Sequence, residues 1–281
     1  MQRDRRHLFL DVDATCLTDA HVLTDATVEA VGRALAAGLG VHLATGRSPD
    51  AAREVARRLG LGDALAICLN GAWTGYLGAR PEADRCVDRE PLDESTGREL
   101  VEAAGRADAD PVWFTTDGSW CLGDGPLVAL ERRATGVVPT RVSRPDEALG
   151  EICKVNLLER PDRGFDRTAL ERRHGREVEL VRSTGFLEAT RPGVTKRSAV
   201  ERALGTLGTA RERIVAVGDS GNDLELIRWA GLGIAMGNAR EDVRAAADAV
   251  TLDNEHDGVA AAIDRLLEGS RHGVQPVPPT T

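Results

Sequence analysis

The sequence predicts an α/β fold, a doubly wound Rossmann-like parallel sheet interrupted by an inserted α+β domain. Three observations predict it. Short, continuously apolar runs alternate with amphipathic helical patterns through the first quarter of the chain. The same grammar returns after residue 198. Between them lies a stretch whose segments mix apolar and polar residues. Strands of a parallel sheet, covered by helices on both faces, read as unbroken apolar runs, whereas half-exposed antiparallel strands alternate.

The elements follow in order. HLFLD (7–11) reads as a strand, and TVEAVGRALAAG (27–38) as a helix stopped at Gly38. GVHLA (40–44) is a strand, and SPDAAREVARRLG (48–60) a helix with Ser48 as N-cap and Pro49 in its first turn. ALAICLN (64–70) is a third strand. Late in the chain, helices at 198–208, 223–231, 239–248 and 257–269 alternate with strands at 213–219, 232–236 and 249–252. The middle holds strand-like segments at 111–123, 151–159 and 176–190, with a helix at 94–107. The division expected is a discontinuous core, 1–80 and 188–268, around an inserted domain, 81–187. The polar, Pro-containing tail 269–281 reads as disordered.

Composition narrows the function. With 281 residues, 42% hydrophobic and 29% charged, the chain can bury a large core without a disulfide or metal staple. The net charge of −9 and only 3% aromatics argue against nucleic acid as partner, since binders of phosphate backbones carry basic surfaces and stacking platforms. The five cysteines are odd in number, widely spaced and free of C-x-x-C pairs, so reduced, mostly buried thiols are expected. No segment approaches the ~20 apolar residues of a membrane span, and the basic N-terminus lacks the apolar run of a signal peptide. A cytoplasmic protein with no membrane partner is the expectation.

Ligands of open α/β sheets bind beyond the carboxyl ends of the strands, where strand order reverses. Those ends carry Asp11 and Asp13, then Thr45-Gly46-Arg47, then Asn70-Gly71, then Asp219 with Asn222 and Asp223. Lys196 opens the helix that precedes the late strand. Two D-x-D pairs occur, but only Asp11/Asp13 terminates an apolar strand; Asp108/Asp110 lies in an Ala-rich loop. Helix capping accounts for one such pair, not for a second carboxylate cluster at the same sheet edge. Carboxylates gathered there repel unless a cation compensates, and an oxygen-only donor set without nearby His or Cys favours Mg²⁺. A threonine hydroxyl, helix-opening N–H groups and an ammonium beside them suit a phosphate dianion. Taken singly, Thr45 fits a turn and Lys196 a surface position; their convergence with the carboxylates is what points to phosphate chemistry.

FLDVDATCLT, VHLATGRS, GVTKRSAV and VAVGDSGNDLELIRWAGLGIAMGNA resemble the four motifs of the haloacid dehalogenase superfamily. The insertion point and the STGFLEATRPGVTK run look most like its Cof-type, class IIB-capped phosphatases. The resemblance implies that Asp11 is the nucleophile forming an aspartyl phosphate, and Asp13 the general acid and base. It also implies that Mg²⁺ is held by Asp11, the Asp13 carbonyl and Asp219, while Thr45 and Lys196 bind the transferring phosphoryl oxygens. Asn222 would orient phosphate or Lys196, and Asp223 would support the metal site from behind. Gly46, Arg47, Asn70 and Gly71 would border the site, with Arg47 serving either a helix-surface salt bridge or the substrate. Trp113, Asp117, Trp120, Arg132 and Lys154 are the inserted domain's candidates for substrate contact.

The activity implied is Mg²⁺-dependent hydrolysis of a small phosphorylated metabolite, such as a sugar phosphate or related monoester. The alternatives are a phosphomutase of the same superfamily, a non-enzymatic aspartate phospho-acceptor module, and a catalytically dead binding protein. The family usually has Gly where this chain has Ala14, and Leu or Ile where it has Cys16. The backbone at 14 is expected to tolerate a methyl group, and Cys16 to be a small buried residue.

Overall fold

The computed structural model describes residues 5–272 except 63, 149 and 184. In chain order its strands begin with β1 (His7–Leu10), β2 (Gly40–Ala44), β3 (Leu65–Cys68), β4 (Trp73–Tyr76) and β5 (Arg85–Arg89). They continue with β6 (Val112–Thr115), β7 (Gly118–Cys121), β8 (Thr140–Arg141), β9 (Ile152–Leu157), β10 (Glu179–Ser183) and β11 (Phe186–Thr190). The last are β12 (Ile214–Gly218), β13 (Leu232–Ala235) and β14 (Ala249–Val250). Helices α1 (Asp25–Ala36), α2 (Pro49–Arg58), α3 (Glu94–Arg106), α4 (Pro126–Thr135) and α5 (Arg167–His174) precede α6 (Lys196–Leu207), α7 (Leu224–Trp229), α8 (Glu241–Ala246) and α9 (Gly258–His272).

Eight strands form the main sheet in the order β14-β13-β12-β1-β2-β3-β4-β5. The first six in that order run parallel, and β4 and β5 close the edge as an antiparallel pair. All residues of β1, β2, β3 and β12 are buried, which is why these strands read as unbroken apolar runs. The chain steps from β1 to β2 and β3 on one side, and from β12 to β13 and β14 on the other. The reversal therefore falls between β1 and β12, the strands that end at Asp11 and Asp219.

Helix starts follow their sequence signals. The Ser48 side chain accepts from Ala51 N with Pro49 in the first turn, and α1 starts at Thr24, whose side chain accepts from Thr27 N. α6 opens with a reciprocal capping box in which the Thr195 and Ser198 side chains each accept from the other residue's N–H. That box fixes the first turn, where Lys196 stands.

A second sheet, ordered β10-β11-β9-β6-β7-β8, belongs to the inserted domain and is antiparallel except for β7 beside β8. Its own core packs Leu100, Val101, Trp113, Val155, Leu157 and Leu187. The opposite sheet face sends Val112, Phe114, Cys121 and Cys153 into the cluster that also contains the main core. The inserted domain thus sits on the core as a cap.

Three boundaries differ from the sequence reading. The main sheet runs past residue 80, because 85–89 pairs with β4 and closes its edge. The cap sheet runs past 187, because 186–190 pairs with both β9 and β10. Residues 269–272 continue α9 rather than joining a disordered tail, and 273–281 lie outside the described residues. Ser270, Arg271 and His272 hold no helix breaker, and the first proline after them comes only at 276. The third strand also stops at Cys68. Leu69 and Asn70 both take positive φ, 52° and 58°, and turn the chain sharply.

Candidate active site

Asp11 follows β1 directly, and its N–H donates to Val217 O of β12, so the end of one strand is pinned to the other. Lys196 is fully buried, with Nζ 2.6 Å from Asp11 Oδ1 and 2.7 Å from Asp223 Oδ1. The other Asp223 oxygen accepts from the N–H groups of Asp219 and Ser220, at 3.2 and 3.1 Å. Asp223 thereby folds the 219–223 loop and holds the lysine at the same time. Gly218 is required beside it, since a Cβ there would stand 2.4 Å from Asp223 Cγ. Thr15 Oγ1 donates to Asp219 Oδ1 at 3.0 Å.

Among the described residues, ligand oxygens of Asp11, Asp219 and Asp223 all lie within 4.8 Å of one another. Burial raises the Asp11 carboxyl well above its ordinary value, against the pull of Lys196, and Asp223 and Asp219 add to the rise. Burial, followed by the Asp223 charge, pushes Asp219 up to about 6 against the Thr15 hydroxyl. Burial disfavours the Lys196 ammonium, but the two carboxylates outweigh it and hold its pKa above the usual lysine value. Three carboxylates and one ammonium, all charged, sum to −2. The cluster therefore fits a divalent cation in charge as well as in its oxygen donors. Asp223 has both oxygens engaged, which leaves Asp11 and Asp219 as the side chains best placed to hold one.

The loops after β2 and β3 form the other wall. Thr45 is fully buried, and its Oγ1 accepts from Arg47 N at 3.1 Å. Asn222 Nδ2 donates to Asn70 Oδ1 at 3.0 Å, while Asn222 Oδ1 accepts from Ser220 Oγ at 2.7 Å. A Cβ on Gly46 would lie 3.0 Å from Asn70 Oδ1, so Gly46 lets these loops close together. Gly71, at φ +107°, presses on the backbone of Thr195, the N-cap of the helix that carries Lys196. It supports the site without lining it. Arg47 forms a bidentate pair with Asp13, through Nε at 2.9 Å and Nη2 at 2.6 Å, and Nη2 also donates to Ala134 O of the cap. Arg47 is buried; the helix-surface salt bridge that its sequence position allows is not what forms.

One expectation is corrected. Ala14 takes φ 53°, ψ 14°, the left-handed region in which a Cβ is unfavourable. The five-residue turn Val12–Cys16 requires it, closed by Leu17 N donating to Val12 O. Asn238 Nδ2 donates to Ala14 O at 2.8 Å and helps hold the turn. Cys16 is buried, as read.

Of the cap candidates, Lys154 reaches the site: Nζ lies 2.7 Å from Gly46 O and 2.9 Å from Glu188 Oε1. Trp113 belongs to the cap core, where Nε1 donates to Ala148 O, and Arg132 is exposed. Trp120 Nε1 is tied to Thr115 Oγ1 within the cap, and Asp117 lines a separate cleft of about 460 Å³ with Trp73 and Arg89. Sequence reasoning missed Glu188, whose Oε2 accepts from Asn70 Nδ2 at 2.7 Å, and Glu131, which is pushed upward by burial near Lys154 and Arg47. For Glu188 a signal was present: a glutamate in the inward-facing apolar run FLEAT.

Fold and site together define a capped, doubly wound α/β hydrolase with a lysine–carboxylate centre at the sheet's switch point. The profile of the haloacid dehalogenase-like hydrolases matches residues 8–263, and the chain belongs to that family. It is 28% identical over 243 residues to a 5-amino-6-(5-phospho-D-ribitylamino)uracil phosphatase of Bacillus subtilis, covering 85% of this chain and 87% of that one. It is 30% identical over 244 residues to a chloroplastic endoribonuclease of Arabidopsis thaliana. That match takes in 84% of this chain but only 42% of the plant protein's length. A haloacid dehalogenase-like hydrolase from Bacteroides thetaiotaomicron superposes with a TM-score of 0.84 at 25% identity, over 94% of this chain and all (100%) of that one. Among the described residues, no helix is long and apolar enough to cross a membrane.

Proposed function

We propose that the chain hydrolyses a small phosphorylated metabolite, a sugar phosphate or related monoester, in a Mg²⁺-dependent reaction through an aspartyl phosphate on Asp11. The observation that carries this reading is the buried Lys196 ammonium held between Asp11 and Asp223, with Asp219 alongside. The Bacillus relative, whose name specifies a phosphorylated ribityl compound, supports a small polyol-like substrate.

In the first half-reaction an Asp11 oxygen bonds to phosphorus as the bond from phosphorus to the leaving oxygen breaks. Asp13 gives that oxygen its proton. In the second half, Asp13 takes a proton from water, the water oxygen bonds to phosphorus, and the Asp11–phosphorus bond breaks to release phosphate. Lys196 and Thr45 stabilise charge on the transferring oxygens, Asn222 orients them, and Asp223 fixes Lys196. Asp11, Asp219 and the Asp13 carbonyl would hold Mg²⁺, which when bound supplies positive charge against the transferring phosphoryl group. Arg47 engages both Asp13 oxygens and Ala134 O of the cap, so Asp13 leaves this pair to carry the proton.

The test is phosphate release from a broad panel of phosphorylated metabolites, with Mg²⁺ and with chelator. Release that needs Mg²⁺ is expected. Interconversion of sugar 1- and 6-phosphates without release would identify a mutase, and a long-lived aspartyl phosphate without turnover would identify a phospho-acceptor.

A further inference from the structure

One polar side chain on the core-facing side of the cap sheet has no partner. Successive strand residues face opposite ways, so Lys154 and Asn156 share one face of β9. Asn156 stands directly between Glu188 of β11 and Val112 of β6, and Lys154 stands opposite Phe114. The orientation of this face is fixed by its charged members. Lys154 reaches Gly46 O, and Glu188 reaches Asn70 Nδ2, in the two loops that wall the site. Asn156 is 5% exposed, its Oδ1 is buried without a hydrogen-bond partner, and its carboxamide makes no hydrogen bond among the described residues. A buried amide left unsatisfied is costly, and such groups mark places where a ligand or water completes the structure.

We propose that Asn156 is a specificity-determining residue that reads a hydroxyl on the leaving group of the substrate. The Lys154–Glu188 pair is the positioning element that docks this cap face onto the 45–47 and 69–71 loops. The proposal rests on the phosphatase reading and refines its substrate class to sugar or polyol phosphates. A hydroxyl donates and accepts, so it completes Oδ1 and can accept a hydrogen bond from Nδ2. A plain aromatic or alkyl leaving group offers Oδ1 no donor and leaves it orphaned. A site built to bond a hydroxyl rejects the analogue that lacks it far more strongly than an apolar pocket discriminates by size. Val112 flanks the amide with apolar surface on β6, and on β11 the Glu188 oxygens are already engaged by Asn70 Nδ2 and Lys154 Nζ.

The experiment compares sorbitol 6-phosphate with phenyl phosphate, using wild type, Asn156→Leu and Asn156→Gln. In Asn156→Leu, kcat/KM for sorbitol 6-phosphate should fall at least about tenfold more than for phenyl phosphate. Asn156→Gln should recover part of that preference, which a purely structural role would not predict. An unchanged ratio, or an equal fall for both esters, overturns the proposal. If wild type releases phosphate from neither ester, the broad panel decides the phosphatase reading by itself, and the ratio of Kd values for the two esters by calorimetry decides the subsite with the same threshold. Should Asn156→Leu fail to fold, Asn156→Ser is read in the same way.

Discussion

Lys196 Nζ stands 2.6 Å from Asp11 Oδ1, although 185 positions separate the two residues and the whole cap lies between them in sequence. The contact joins the helix that leaves the cap to the first strand of the core. Both groups are buried, and neither is stable there alone: each satisfies the other's charge, and Asp223 completes the set.

Removal of the cation should therefore damage folding as well as catalysis. Lys196→Met leaves buried carboxylates uncompensated and is expected to cost about 3–5 kcal/mol. Urea titration of the Mg²⁺-free protein at pH 7 measures it; a loss below about 1 kcal/mol would show that the carboxylates neutralise themselves by taking up protons.

Asp11→Asn keeps the shape and removes the nucleophile. Mg²⁺-dependent phosphate release should fall by about a thousandfold or more, because both half-reactions pass through that oxygen. Retained turnover in pure protein would sink the assignment.

Ala14→Gly relieves a left-handed alanine at φ 53°. An increase of about 1 kcal/mol in unfolding free energy is expected. A shifted denaturation midpoint at constant slope checks it, and a destabilised variant would contradict the turn geometry.

The Lys154–Glu188 pair crosses the cap and touches both core loops. Lys154→Met alone strands a buried glutamate, so it should destabilise more than Lys154→Met with Glu188→Gln. A coupling of about 1–3 kcal/mol in a double-mutant cycle is the expected reading.

His42, remote from these groups along β2, gives a pH prediction. Leu65 N donates to its Nδ1 at 3.1 Å, so the proton sits on Nε2 and points to His7 Nδ1 at 2.9 Å. Burial, then His7 and Arg5, lowers the His42 pKa from 6.5 to about 3. The neutral ring is the folded form, so its stabilisation is complete above about pH 6.5 and is lost as pH falls toward 3. His42→Asn keeps an acceptor for Leu65 N and removes the titration. Denaturation midpoints between pH 6.5 and 3 should fall less steeply in that variant than in wild type; an identical slope would place the acid sensitivity elsewhere.

Strand ends were the most legible part of this chain. Asp11, Thr45 and Asp219 each close an apolar run, and burial between helices leaves little freedom in where such a run stops; the third strand, which ends at Cys68 before Asn70, is the exception. The β4–β5 pair was not legible: WTGY is mostly buried but breaks the apolar run with Thr and Gly, and RCVDR lies on the exposed edge. Glu188 left a signal in the run FLEAT, but Asn156 left none. On a strand whose residues are all buried, a polar member does not announce its partner, and its neighbours sit on other strands far away in sequence.

By itself the sequence determined the doubly wound core, the inserted cap and the carboxylates and lysine at one sheet edge. These follow from local apolar period and from residue type. Only the tertiary structure decided that Asp223 spends both oxygens on Lys196 and its own loop, that Arg47 is buried against Asp13 and the cap, and that Ala14 bears a left-handed backbone. Hydrogen-bond partners and turn conformation depend on how distant segments approach one another, and no local pattern encodes that approach.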